Sequence, residues 1–309
     1  SIMAFILGAG LFIMKNSIKY LHGILVTVAL LFVAVQGFSQ ENPILFGNSE
    51  LIVEPIRQIN TTGSDISPFF VNDSLYFSGV REKYIGKSSR DRKNTAFYSI
   101  YSAGIDAEGK LTSGRMLVPG FGEEMHEGPA DYCEATGEMF VTVSSISDSD
   151  TLRKMFSVEN IRLLLAVKKK IDGKWQTIEE FPFNDDKFHF AHPAISVTGD
   201  TLVFSSDKEN GYGNSDLYMS VRKNGKWSIP VNLGEKINTP GNEMFPTFIG
   251  SNILSFASDS RKGGLGGLDI WFVIFPVTEL PKNAGDNINS YVDDFGLVLH
   301  SSGKTGYFT

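Results

Sequence analysis

Three carboxylates recur at one fixed place in this chain. Asp65, Glu243 and Asp294 each lie six residues beyond an isoleucine, in "INTTGSD", "INTPGNE" and "INSYVDD". Asp65 and Glu243 also stand three residues before a proline, and His126 holds that place before Pro129. Repeated about one axis, these residues would form a channel rim able to meet a basic partner or a cation. The plainer reading is that each carboxylate accepts hydrogen bonds from its own turn. A second candidate is "ASDSRKGGLGGLDIW" (257–271). A dinucleotide fingerprint opens a helix with G-x-G-x-x-G, whereas here Gly264 and Gly266 lead to Asp269 and a strand-like run. An EF-hand needs acids at alternate positions and a closing Glu. Neither this stretch nor its counterpart "SSDKENGYGNSDLYMS" (205–220) has them. Asp207, Asp216, Asp259 and Asp269 are therefore expected to bond turn or strand amides within hairpins.

Other chemistry finds no support. A nucleophile elbow needs G-x-S-x-G, which does not occur, and the lone Cys133 has no partner for an internal disulfide. No Cys/His set has zinc spacing. His126, His189, His192 and His300 fall among turns and strand starts, where structural roles are expected. No catalytic, cofactor-binding or metal-binding residue is assigned, and no cofactor is expected. A net charge of −7 argues against a nucleic-acid footprint.

The elements that would position these residues are strands. Of 309 residues, 24 are Phe and 31 are Gly, a balance that favours short aromatic strands joined by glycine turns. "LYFSG", "MFVTV", "LVFSS", "LSFAS" and "GYFT" centre on Phe77, Val141, Phe204, Phe256 and Phe308, spaced 52 to 64 residues apart. Each follows a turn rich in Gly, Asn, Asp or Ser, and a Pro-containing or similar anchor ("SPFF", "GPAD", "HPAI", "FPTF", "DFGL") comes before that turn. Four-stranded units at such a period are blades of an all-β propeller. Residues 150–170 read as an insertion in the lengthened second unit, and Trp175 and Trp227 as packing residues. On this count residues 51–309 hold four full units and part of a fifth, the N-terminal part of a six-bladed ring. Such an arc would be open, with the strand at 51–60 lacking its last blade.

The first residues stand apart. Residues 14–39 run from Lys15 and Lys19 through an apolar stretch to Gly37 and Ser39, the pattern of a secretory signal peptide. Residues 1–13 are taken as an upstream, non-native segment and 40–50 as a short linker.

The repeat anchors, above all "HPAISVTGDTLVFSSDKENGYGNSDLY", "INTPGNEMFPTFIGSNILSFASDSRKGGLGGLDIW" and "INSYVDDFG", resemble the TolB-like propeller repeats of OmpA-family outer-membrane proteins of Gram-negative bacteria. The resemblance covers nearly everything from residue 51 onward. It implies a non-enzymatic scaffold or binding protein, exported to the periplasm or outer membrane, with envelope proteins as partners. Membrane contact would be indirect. Peptidoglycan would be reached only through a C-terminal domain not contained in these 309 residues. The alternative is the propeller of an exported hydrolase of prolyl-oligopeptidase type. Export predicts a mature N-terminus at Gln40, to be read by intact-mass spectrometry; a retained Met14 segment would instead indicate a membrane anchor.

Overall fold

The computed structural model describes residues 2–7, 51–85, 93–122, 126–146 and 161–309. The expected signal peptide and linker lie outside them. Among the described residues the regular elements are all strands. Two, β1 (Met3–Leu7) and β2 (Leu51–Pro55), precede the first repeat. The first blade is β3 (Asp65–Val71), β4 (Ser74–Ile85), β5 (Lys93–Gly104) and β6 (Met116–Leu117). The second is β7 (Glu127–Cys133), β8 (Glu138–Ile146), β9 (Ile161–Ile171) and β10 (Lys174–Glu180). The third comprises β11 (Phe190–Ile195), β12 (Thr201–Ser206), β13 (Asp216–Lys223) and an outer strand in two pieces, β14 (Lys226–Trp227) and β15 (Val231–Asn232). The fourth is β16 (Glu243–Ile249), β17 (Ile253–Ser258), β18 (Asp269–Ile274) and β19 (Lys282–Asn283). Of the segment read as an insertion, 161–170 belongs to β9, the third strand of its blade; 150–160 lies outside the described residues.

The fifth blade closes the ring. After β20 (Val298–Leu299) and β21 (Thr305–Phe308), its third strand is β1 and its outer strand β2. Met3 pairs with Phe308 on one side and Pro55 on the other. The ring thus has five blades rather than six, and it is closed rather than open. Residues 3–7, expected outside the propeller, fill the place that "DLY" and "DIW" hold in blades three and four. Strand β2 is the outermost strand, as its position before the "INTTGSD" link required.

The packing follows the same closure. Among the described residues the core divides into five apolar clusters, and each straddles one blade-to-blade interface. The cluster between the last and first blades joins Ile2, Ala4, Val298 and Tyr307 to Leu75, Phe77 and Ala103. Phe77, Val141, Phe204, Phe256 and Phe308, the centres of the sequence repeat, are all buried. Removing apolar surface at every interface drives the assembly. Trp175 belongs to the cluster between blades one and two, and Trp227 packs between Phe140 and Phe181.

The link motif has a specific task. Where the short outer strand stops, the next residue of the third strand would keep a buried N–H without a partner. An asparagine side chain takes over the ladder there. Asn238 Oδ1 accepts from Leu217 N at 2.8 Å and its Nδ2 donates to Leu217 O at 3.0 Å. Asn289 does the same to Ile270, Asn184 to Leu165 and Asn60 to Ile2. Ile2 therefore stands in register with Leu217 and Ile270. Asn238→Ala should cost about 1–3 kcal/mol, because a buried amide loses its acceptor. Urea unfolding measures this, and a loss below about 0.5 kcal/mol would contradict the clamp.

Candidate functional site

The central channel has two ends with different chemistry. At the link end sit the sequence-predicted acids, all buried. Asp65 Oδ2 accepts from Thr61 N and Oγ1 at 2.6 and 2.8 Å, and its Oδ1 pairs with Arg115 at 2.6 Å. Glu243 accepts from Thr239 N and Oγ1 at 2.7 and 2.6 Å and from Ser258 Oγ at 2.6 Å. Asp294 Oδ2 accepts from Ser290 N and Oγ at 2.5 and 2.8 Å. Burial pushes the Glu243 and Asp294 carboxyls up, against the pull of these donors. The geometry makes each carboxylate the cap of its own link.

The second blade departs from the expected alignment. Strand register pairs Glu127 with Val143, as Asp65 pairs with Gly79 and Glu243 with Ser258. Glu127, not His126, therefore holds the acid position. The inner strand of this blade has one residue fewer before its proline, which displaces a count made from Pro129. Glu127 is buried, accepts from Gly122 N and pairs with Lys168 at 3.4 Å. His126 lies beside it, with Phe97 edge-on against its ring and Tyr98 N donating to Nδ1 at 3.3 Å. Burial holds its pKa down.

The glycine-rich stretches are folded around their aspartates. Asp216 accepts from Tyr212 N and Gly213 N, and Asp269 from Leu265 N and Gly266 N. Asp207 accepts from His189 N and Asp259 from Asn242 N, tying each hairpin to the link that precedes its blade. A Cβ on Gly213 would lie 2.2 Å from Gly241 O, and one on Gly266 would lie 2.6 Å from Ser290 O. Glycine recurs at these two places because the neighbouring link passes too close for a side chain.

Midway, the channel is closed. Each inner strand, or in the fifth blade the segment just before it, carries a residue with positive φ: Ser67, Gly128, His192, Phe245 and Gly296. In the first four, proline follows. These bulges turn side chains into the axis, where His192 stacks on Phe245 at 3.9 Å and Phe245 on Phe295 at 4.2 Å. The space left among them is about 20 Å3. His192 also contacts Ser205 Oγ through Nδ1 at 2.9 Å, and its N–H donates to Thr142 of the second blade at 3.0 Å.

Below this plug the other end opens as a bowl of about 590 Å3, to which all five blades contribute. Phe70, Tyr132, Val197, Phe248 and Leu299 give it apolar walls, while Asp131, Glu134 and His300 are its titratable side chains besides Tyr132. Sequence reading missed this end. Asp131 is the departure from the repeat: by register the other blades place Phe69, Ala194, Thr247 and Val298 there. Its Oδ1 accepts from Tyr132 N and its Oδ2 from Ile195 N of the next blade, both at 2.8 Å. Although part of the residue reaches the bowl, enclosure by protein pushes its carboxyl up to about 7. Among the described residues no group of three or more His, Cys, Asp or Glu side chains is arranged to hold a metal ion.

No protein-family model and no curated protein matches this chain. Among solved structures it is similar to TolB from Acinetobacter baumannii, at 12% identity and a TM-score of 0.39, over 67% of this chain and 41% of that one. It is similar to a protein of unknown function from Dyadobacter fermentans DSM 18053, at 12% identity and a TM-score of 0.47, over 89% and 87% of the two chains. It is also similar to an α-L-arabinofuranosidase from Lactobacillus brevis, at 11% identity and a TM-score of 0.46, over 81% and 83%. The chain thus spans less than half the length of the TolB structure.

Two groups on the axis make stability depend on pH in opposite senses. Burial lowers the His192 pKa from 6.5 to about 3, so the unfolded chain takes up a proton that the folded one refuses. That contribution is complete above pH 6.5 and is lost as pH falls toward 3. The raised carboxyl of Asp131 favours the folded state below about pH 4, and that contribution is lost as pH rises to about 7. His192→Asn suits the positive φ and removes the first effect. Wild type should lose about 1–2 kcal/mol through His192 between pH 7 and pH 5, and the variant should not. Equal pH dependence of chemical unfolding in the two proteins would overturn this assignment.

Proposed function

We propose that this propeller is a non-enzymatic binding or scaffold region of an exported Gram-negative cell-envelope protein of OmpA type. The bowl is its binding face and envelope proteins are its partners. The observation that carries the reading is the division of labour along the axis. At the link end the carboxylates and glycine turns are bonded into the architecture, and the stacked rings close the middle. The bowl is therefore a blind depression, wide enough for a protein loop, with aromatic and aliphatic walls and a few polar groups. That composition is typical of recognition sites. A groove built from five blades also presents one rigid surface, which lowers the ordering cost of association.

Site-specific photo-crosslinking tests the proposal. A benzoylphenylalanine at Val197 or Leu299 in the bowl, introduced into the full chain in its native bacterium, should yield a discrete adduct with an envelope protein. The same group at Ile52, on the outer strand of the fifth blade, should not. Identical labelling from bowl and edge would overturn the assignment of the binding face.

A further inference from the structure

We infer that the bowl contains a subsite for a single cationic side chain, a lysine or arginine flanked by apolar residues on a partner's loop, centred on Asp131. This rests on the bowl being the binding face and adds the chemistry that it selects. Four observations support it. First, the repeat does not need an acid at this position, since Phe69, Ala194, Thr247 and Val298 serve in the other blades. Second, the carboxylate is held in place by N–H groups from two blades, one on each oxygen. Each oxygen keeps a further lone pair for a ligand, so the acceptor is preorganised and not exhausted.

Third, the surroundings complement a cation. Glu134 joins Asp131 on the same wall, and among the described residues none that lines the bowl is Lys or Arg. His300 faces the bowl from the fifth blade, with its Nδ1 against Ser302 Oγ at 2.9 Å. Fourth, Phe70, Tyr132 and Phe248 add aromatic surface, which attracts both a cation and its methylene stem. A charge-assisted bond to a partly desolvated carboxylate is the strong kind. Burial has already made that carboxylate costly to ionise alone, so an arriving cation relieves an existing penalty. An acidic ligand would meet two carboxyls and is selected against.

The test uses two capped tripeptides, Ac-Leu-Lys-Leu-NH2 and Ac-Leu-Nle-Leu-NH2, which differ only in the ammonium group. Titrated into the full chain and followed by calorimetry or NMR shifts of bowl residues, the lysine peptide should bind at least tenfold tighter. Asp131→Asn should abolish that preference. Glu134→Gln, at an exposed position that leaves the fold untouched, should reduce it severalfold and keeps the test open if the first variant is unstable. Equal binding of both peptides in the bowl would overturn the cation subsite while leaving the bowl a binding face. Absence of binding by either peptide would overturn the subsite as well, and bowl crosslinking would then judge the broader proposal separately. An undiminished preference in both variants would place the cation elsewhere and equally overturn the assignment to Asp131.

Discussion

The architecture depends on how a short outer strand ends. In the third and fourth blades that strand, or its piece nearest the link, is only two residues long, and in the second and fifth the third-strand chain likewise runs on past its last paired residue, Ala166 and Met3. A buried third-strand amide without an acceptor would cost more than a hydrogen bond ordinarily contributes. Four of the five blades meet this with the side-chain amide of a link asparagine, which presents an acceptor and a donor in the geometry of a strand partner. The same residue begins the passage to the next blade. Satisfying one polar pair thus fixes where the chain leaves one sheet and enters another. The isoleucine before three of these asparagines, Ile59, Ile237 or Ile288, is buried in an interface cluster. Polar satisfaction and apolar burial therefore coincide within two residues.

That device determines which end of the channel is bonded into the architecture and which is not. Once the link is pinned, its Thr or Ser donates backbone and side chain to the acid four residues later, and in the first and fourth blades that acid is the first inner-strand residue. Its burial follows from the chain path and not from a need to meet a ligand. The opposite mouth is formed by simple turns between inner and second strands, which carry no such duty. Substitution there is architecturally cheap, so one blade can hold an aspartate where its neighbours hold Phe, Ala, Thr or Val.

Much of this was legible in the sequence. The buried aromatic centres, the glycine turns and the Ile-Asn links each impose a residue type through sterics or hydrogen bonding, so each recurs visibly. The blade count was not legible, because the clamp on the fifth blade reads only the backbone of Ile2. Any extended residue can offer an N–H and a C=O, so "SIMAFIL" carries no trace of the aspartate that marks "DLY" and "DIW". The acid of the second blade was misplaced by one residue for a related reason. Proline marks the bulge, and the bulge in that strand is one residue shorter. Asp131 could have been noticed as the acid that follows the proline in "GPAD" where "SPFF", "HPAI" and "FPTF" have none, but a single acid in a strand gives no periodic signal.

The clamp on the backbone of Ile2 has a physical consequence for the export reading. Cleavage after Ser39 would part β1 from β2, leaving β21 with an unpaired edge in the middle of a blade. Such an edge is a template for any extended chain. Among the described residues β2 pairs with β1 alone, so without it β2 would keep its link clamp residue, Asn60, but lose the partner that Asn60 grips. Retention of β1 after cleavage would then rest on its strand pairing, on the burial of Ile2 and Ala4 and on Met3 packed against the neighbouring cluster. While residues 1–50 remain continuous, the tether supplies a high effective concentration and the ring stays shut. The fifth blade is accordingly the one place where the covalent state of the chain, and not the repeat, decides how the sheet is completed.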